Sequence, residues 1–234
     1  MGTRALSVYG AEVASLSEAT NSSSPSLEEC LSQKGVFLAL KRCCDVALSV
    51  IALIALLPIF AITALAIVVD DGGPIFYSQE RVGLRGRVFR IYKFRSMRRD
   101  AERLHADLLD MNEADGPAFK MREDPRMTRV GRFIRKVSID ELPQLVNVIK
   151  GEMSLVGPRP LVLAEASRCS EWQNARLLVK PGLTCLWQVM PGRNSIPFDE
   201  WMQADIDYIR TCGVTADAII IAKTFRAILN AEGW

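Results

Sequence analysis

Two adjacent carboxylates, Asp140 and Glu141, stand in the run Ser138-Ile139-Asp140-Glu141-Leu142-Pro143-Gln144. Arg135 precedes them, and a proline-flanked arginine follows in Gly157-Pro158-Arg159-Pro160. Paired acids beside fixed cations suit chemistry on a phosphate: a carboxylate can attack phosphorus or hold a metal, while arginines neutralise the oxygens. A structural role competes with this reading, because Ser138-x-x-Glu141 matches a capping box. That register would put Pro143 at the fifth helical position, where its missing N–H forfeits a hydrogen bond. A helix starting near Leu142 takes Pro143 in its first turn instead. Asp140 and Glu141 then sit at the helix entrance, where the positive dipole end favours anions, and neither is needed as a cap.

Other chemistries find little support. His105 is the only histidine and falls on a charged helical stretch, which argues against a Ser-His-Asp or Cys-His mechanism. The six cysteines show no CxxC spacing, and Cys43 and Cys44 are neighbours, so all six read as reduced thiols of a cytosol-facing protein. At 234 residues and a net charge of +2, the chain has room for one sizeable domain plus an anchor.

The elements that must position the acids begin with a Ser-, Ala- and Glu-rich stretch to about residue 32, read as a disordered tail. Val46 to Val69 is apolar and uncharged over 24 residues. As a helix it would be roughly 36 Å long, enough to cross a hydrocarbon core of about 30 Å. Pro58 interrupts its middle, where it favours a kink. Basic residues also flank both ends, Lys34, Lys41 and Arg42 before and Arg81, Arg85, Arg87, Arg90 and Lys93 after. The positive-inside tendency keeps both flanks in the cytosol, which a straight span cannot do. The residues leave open a single span or a re-entrant helix bent at Pro58.

After the turn residues Asp70 to Pro74, Ile75–Gln79 and Val88–Phe94 read as strands of a hairpin around Gly83-Leu84-Arg85-Gly86. Ala101–Leu109 reads as a charged helix and Asp115–Arg126 as a loop. Leu142, Leu145, Val146 and Ile149 follow a helical pattern that stops at Gly151, and later helices are expected over Phe198–Arg210 and Ala216–Asn230. Arg81 to Arg99 carries eight Lys/Arg and no acid. This is a solvated hairpin face on the plain reading. Nucleic acid is a poor partner beside an apolar anchor, and anionic head groups or substrate phosphates are better ones.

From about Leu40 to Leu229 the chain resembles the monotopic polyprenyl-phosphate phosphoglycosyl transferases, the bacterial sugar transferase family. The matching motifs are Lys41-Arg42-x-x-Asp45, Arg81-Val-Gly83, Tyr92-Lys93-Phe94-Arg95-Ser96-Met97 and Arg135-Lys-Val-Ser138-Ile-Asp140-Glu141-Leu-Pro143-Gln144. They continue with Gly151-Glu-Met-Ser154-Leu-Val-Gly157-Pro158-Arg159-Pro160, Pro181-Gly182-Leu183-Thr184 and Trp187-Gln188. The chain is similar to the short form that initiates exopolysaccharide synthesis.

The resemblance implies that Asp140 attacks the sugar-bearing phosphate of a UDP-sugar, releases UMP and keeps the phosphosugar. A polyprenyl phosphate, undecaprenyl phosphate, then takes it. Glu141 would ligate Mg2+, and Arg135 and Arg159, with Lys93 and Arg95, would hold phosphate oxygens. UDP-galactose or UDP-glucose is the expected donor, although the residues do not choose among these and N-acetylated sugars. The implied fold is α+β and mainly helical: a re-entrant membrane helix over 33–70, broken at Pro58, and a small cytosolic catalytic domain over 71–234. The site would face the cytosol at the bacterial inner membrane, with self-association left open. Met190-Pro191-Gly192-Arg193 and Cys185 depart from the family pattern in a region expected to shape the sugar or nucleotide pocket. Two other functions use the same residues: a Mg2+-dependent hydrolase of a nucleotide sugar or lipid diphosphate, and a catalytically silent membrane adaptor of a polysaccharide assembly complex.

Overall fold

The computed structural model describes residues 26–105, 108, 111, 112, 121, 123–193 and 196–229. Among these residues, helices dominate and the strands form two two-stranded sheets. Most of the expected tail lies outside the described residues. Its last part does not fit that expectation, because Leu27–Ser32 forms a helix, α1. Ser26 accepts from the Glu29 N–H at 3.2 Å and the Glu29 carboxylate accepts from the Ser26 N–H at 2.9 Å, closing a capping box. Leu27 and Leu31 then pack beside Ile206, Tyr208 and Ile209.

The apolar run forms two helices, α2 (Gly35–Ala55) and α3 (Leu57–Asp71), bent by 60°. Neither is long and apolar enough to cross a membrane alone, whereas the pair passes that test together. The break falls at Leu56, and Pro58 occupies the first turn of α3, where its absent N–H costs no helical bond. Burial along this pair is inverted. Asp45, Ser49, Thr63 and Ile67 are buried, while Ile54, Leu57, Ile62 and Leu65 are each 60–68% exposed.

The start of α2 is tied to the rest of the chain by polar bonds. Lys34 Nζ donates to the carbonyls of Arg210 at 2.8 Å and Cys212 at 2.9 Å. Lys41 pairs with Asp217 at 2.5 Å. Arg42 donates to the carbonyls of Val148 at 2.6 Å and Ile149 at 2.8 Å. Asp45 accepts from the Ser154 hydroxyl at 2.7 Å and the Leu155 N–H at 3.2 Å. Cations placed on helix C-terminal carbonyls satisfy acceptors that have no partner within their helix. The basic flank read as cytosolic is thus also a docking element.

Strands β1 (Phe76–Val82) and β2 (Val88–Phe94) pair antiparallel, from Phe76↔Phe94 to Val82↔Val88, around a 3-10 turn at Leu84–Gly86. Helix α4 (Ala101–His105) starts as expected, and its continuation to Leu109 and much of the following loop fall on residues outside the description. Next come α5 (Arg129–Lys136), capped by Thr128, a 3-10 segment Ile139–Gln144, and α6 (Leu145–Lys150), ended by Gly151 at φ 85°. Strands β3 (Ser154–Val156) and β4 (Gly182–Thr184) are parallel. They approach so closely that a Cβ at Gly182 would meet Gly157 N at 2.1 Å, so both positions need glycine. Short helices α7 (Leu163–Ala166) and α8 (Glu171–Asn174) lead to α9 (Phe198–Thr211) and α10 (Val214–Leu229). The core joins Val82, Leu161, Trp187, Phe198, Trp201 and Met202, with the indoles of Trp187 and Trp201 stacked at 4.4 Å.

Candidate active site

The acid pair sits where α5 turns into the 3-10 segment. Ser138 makes the turn at φ 56°, a left-handed conformation that costs of order 1–3 kcal/mol for a non-glycine residue. Its side chain caps nothing, so the capping box does not form. The helical segment starts at Ile139, three residues earlier than expected, because the 3-10 geometry accommodates Pro143 inside it. With three residues per turn, Glu141 and Gln144 share one face, and Asp140 and Pro143 share another. Asp140, Pro143 and Gln144 are buried.

Strand β2 brings Lys93 to this segment. Asn147, fully buried on α6, fixes the distance. Its amide donates to Arg90 O at 2.7 Å and to Glu152 Oε2 at 2.7 Å, and its oxygen accepts from Tyr92 N–H at 3.1 Å. The side chain thus completes the free edge of β2, as a neighbouring strand would. One residue on, Lys93 Nζ donates to Glu141 Oε1 at 2.5 Å, and Arg159 Nη1 lies 3.8 Å from the same oxygen. Asp140 makes no ion pair within 4 Å among the described residues.

These surroundings split the two acids. Burial raises Asp140 to about 6, with Glu141 pushing the same way and Lys93, Arg135 and Arg159 opposing. Burial would also raise Glu141, but Lys93 and Arg159 outweigh it and hold the carboxyl down at about 2. Two neighbouring carboxyls driven apart in this way are suited to different roles. Burial also lowers the Lys93 ammonium, against the pull of Glu141 and Asp140.

A cleft opens over Glu141, lined by Arg81, Lys93, Glu141, Gln144, Arg159 and Gln188 with apolar Ile91 and Leu183, and Asp140 is buried beside it. Arg159 reaches it with its side chain one-third exposed. Its carbonyl accepts from the buried guanidinium of Arg176, which is paired with Asp205 at 2.7 Å. Arg135 lies behind the acids, bonded to Met127 Sδ at 3.2 Å, and acts on them through its field. Arg95 is not brought to the cleft. Its guanidinium contacts Asp71 Oδ2 at 2.5 Å and ties the end of β2 to the end of α3.

Arg81, Gln144 and Gln188 were not singled out as site residues from the sequence. Arg81 is partly buried, donating to Pro160 O at 3.1 Å and Gln79 Oε1 at 2.7 Å, and burial followed by the Arg159 charge lowers it to about 10. Its place in Arg81-Val-Gly83 was the available signal. Cys185, expected near the pocket, packs in the core beside Trp187 and Trp201.

The bacterial sugar transferase model matches residues 36–231. The chain belongs to this family. It is 46% identical over 196 residues to the galactosyl transferase CpsE of Streptococcus agalactiae, covering 84% of this chain and 43% of that protein. It is 43% identical to the undecaprenyl-phosphate galactose phosphotransferase of Salmonella typhimurium, covering 83% and 41%. The exopolysaccharide production protein ExoY of Sinorhizobium fredii is 39% identical, with 82% and 87% covered. The chain thus spans about two fifths of the first two relatives and most of the third.

No group of three or more His, Cys, Asp or Glu gathers into a metal cage among the described residues. The adjacent carboxylates nevertheless fit Mg2+, which is commonly held by one or two carboxylates together with substrate phosphates and water.

Proposed function

We propose that this chain transfers a sugar-1-phosphate from a UDP-sugar to undecaprenyl phosphate, releasing UMP, in two steps at a membrane surface. The observation that carries the reading is the unequal acid pair: Asp140 is unpaired and raised to about 6, beside a Glu141 held ionised by Lys93. An Asp140 oxygen attacks the phosphorus that carries the sugar. The bond from that phosphorus to the bridging oxygen breaks, and UMP leaves with the electron pair. An oxygen of undecaprenyl phosphate then attacks the same phosphorus, and the Asp140 carboxylate is released unchanged. Lys93, Arg81 and Arg159 line the cleft and neutralise the diphosphate oxygens. Arg135 steadies the acids from behind. Bound Mg2+, held by Glu141, would supply further charge neutralisation between the nucleophile and the diphosphate.

The inverted burial of α2 and α3 supports a re-entrant hairpin. Apolar side chains face outward, and the polar Asp45, Ser49 and Thr63 are kept from lipid. Both ends of the pair then leave the bilayer on the cytosolic side of the inner membrane, where UDP-sugars are available. UDP-galactose or UDP-glucose is the donor, the former in line with the names of two relatives. A panel of UDP-sugars assayed for UMP release and lipid product, with and without undecaprenyl phosphate, tests the reading. A sugar-bearing lipid diphosphate is expected. Free sugar phosphate, or UMP beyond one per chain, appearing with water as the sole acceptor would point to a hydrolase.

A further inference from the structure

The cations of the cleft account for the diphosphate, but two neutral amides, Gln144 and Gln188, line it as well. Gln144 is the more informative of the two. It is 4% exposed, and its side chain makes no hydrogen bond to another described residue. Its polar atoms are not sealed in, but open into the cleft. A buried carboxamide without a protein partner is costly unless a ligand or water satisfies it. Its position is also set. Three residues after Glu141 in a 3-10 segment, Gln144 lies on the same face one turn along, roughly 6 Å at about 2.0 Å per residue.

We propose that Gln144 reads the sugar of the donor, its carboxamide hydrogen-bonding hydroxyls of the hexose on the reacting phosphate. The proposal rests on the transferase reading for the identity of the donor. A carboxamide offers two donors and an acceptor without charge, which matches neighbouring hydroxyls better than phosphate oxygens. The alternative neutral group is uracil. It lies beyond the ribose and the second phosphate, whereas the hexose is attached to the phosphorus that Asp140 attacks. One turn from Glu141 is therefore sugar territory.

Binding separates these cases. Full-length protein in nanodiscs, carrying Asp140→Asn to stop turnover, is titrated calorimetrically with UDP-galactose, UDP-glucose and UMP. Adding Gln144→Leu is expected to weaken the UDP-hexoses about tenfold or more and leave UMP within about twofold. The ratio between the two hexoses should also change. Gln144→Met, which keeps the unbranched shape and loses the amide, should behave alike and serves if the leucine variant folds poorly. Equal weakening of UMP would overturn the assignment in favour of uracil, and unchanged binding would overturn it outright. In protein with Asp140 intact, tight UDP-hexose binding without UMP release would sink the transferase reading while leaving the Gln144 comparison readable.

Discussion

The helical hairpin and the cleft use charge in opposite ways. In α2 and α3, the polar Asp45, Ser49 and Thr63 are hidden, with Asp45 bonded to β3, and the apolar side chains are left outside. At the cleft, Arg81, Lys93, Glu141 and Arg159 form the lining together with apolar Ile91 and Leu183, and their charges are unevenly matched. The first arrangement suits apolar surroundings. The second is stable only because Lys93 and Arg159 compensate Glu141, and it still leaves Asp140 penalised by burial. The same residue type thus meets two different environments: Asp45 is bonded to β3, and Asp140 makes no ion pair among the described residues.

The largest expected effect separates these two aspartates. Asp140→Asn should reduce turnover by about a thousandfold or more, since the amide is a poor nucleophile. The same change should stabilise the fold. A carboxyl raised from 3.8 to about 6 disfavours the folded state once pH exceeds its unfolded value, and the penalty is complete above about 6. Thermal unfolding of Asp140→Asn should therefore show a gain at pH 8 that fades below about pH 4. Turnover of the unsubstituted enzyme should fall as pH drops through about 6. Asp45→Asn makes the contrasting case, weakening the hairpin's attachment by about 1–3 kcal/mol because it alters two hydrogen bonds to β3. Chemical unfolding measures that loss.

Lys93→Ala should lower kcat about a hundredfold, as loss of one charge-stabilising donor does. Asn147→Ala should lower it less, and the two losses should not add, because Asn147 sets the edge of the strand that carries Lys93. Additive losses in the double variant would show that Asn147 acts elsewhere. Arg95→Ala should have the smallest kinetic effect, because its partner is Asp71. For the hairpin, labels at residues 35 and 75 should both be accessible from the cytosolic side alone. Replacing Pro58 with leucine should move one of them.

The acid pair, the hairpin break and the β1–β2 strands were legible in the sequence because each depends on local chemistry. Proline limits where a helix can begin, and Gly83 to Gly86 marks a turn between alternating strands. The division of labour within the basic run was not. Lys93 and Arg95 are two apart and look equivalent, but β2 ends at Phe94 and their side chains part company. Arg81 reads as solvated until Pro160 and Gln79 enclose it. Lys34 and Arg42 read only as cytosolic flanks, because the carbonyls they bond come from residues more than a hundred positions away. Helix α1 was missed because its leucines gain partners only when α9 folds against them.

The central claim is that Asp140 carries the phosphosugar between donor and acceptor. Purified protein in nanodiscs, with Mg2+ and a UDP-sugar radiolabelled in the hexose, should release UMP before any undecaprenyl phosphate is added. Label should remain on the protein at no more than one per chain, be removed by hydroxylamine as an acyl phosphate is, and be absent from Asp140→Asn. If UMP instead appears only when undecaprenyl phosphate is present, and no label is retained, the transfer is direct and Asp140 is not the nucleophile.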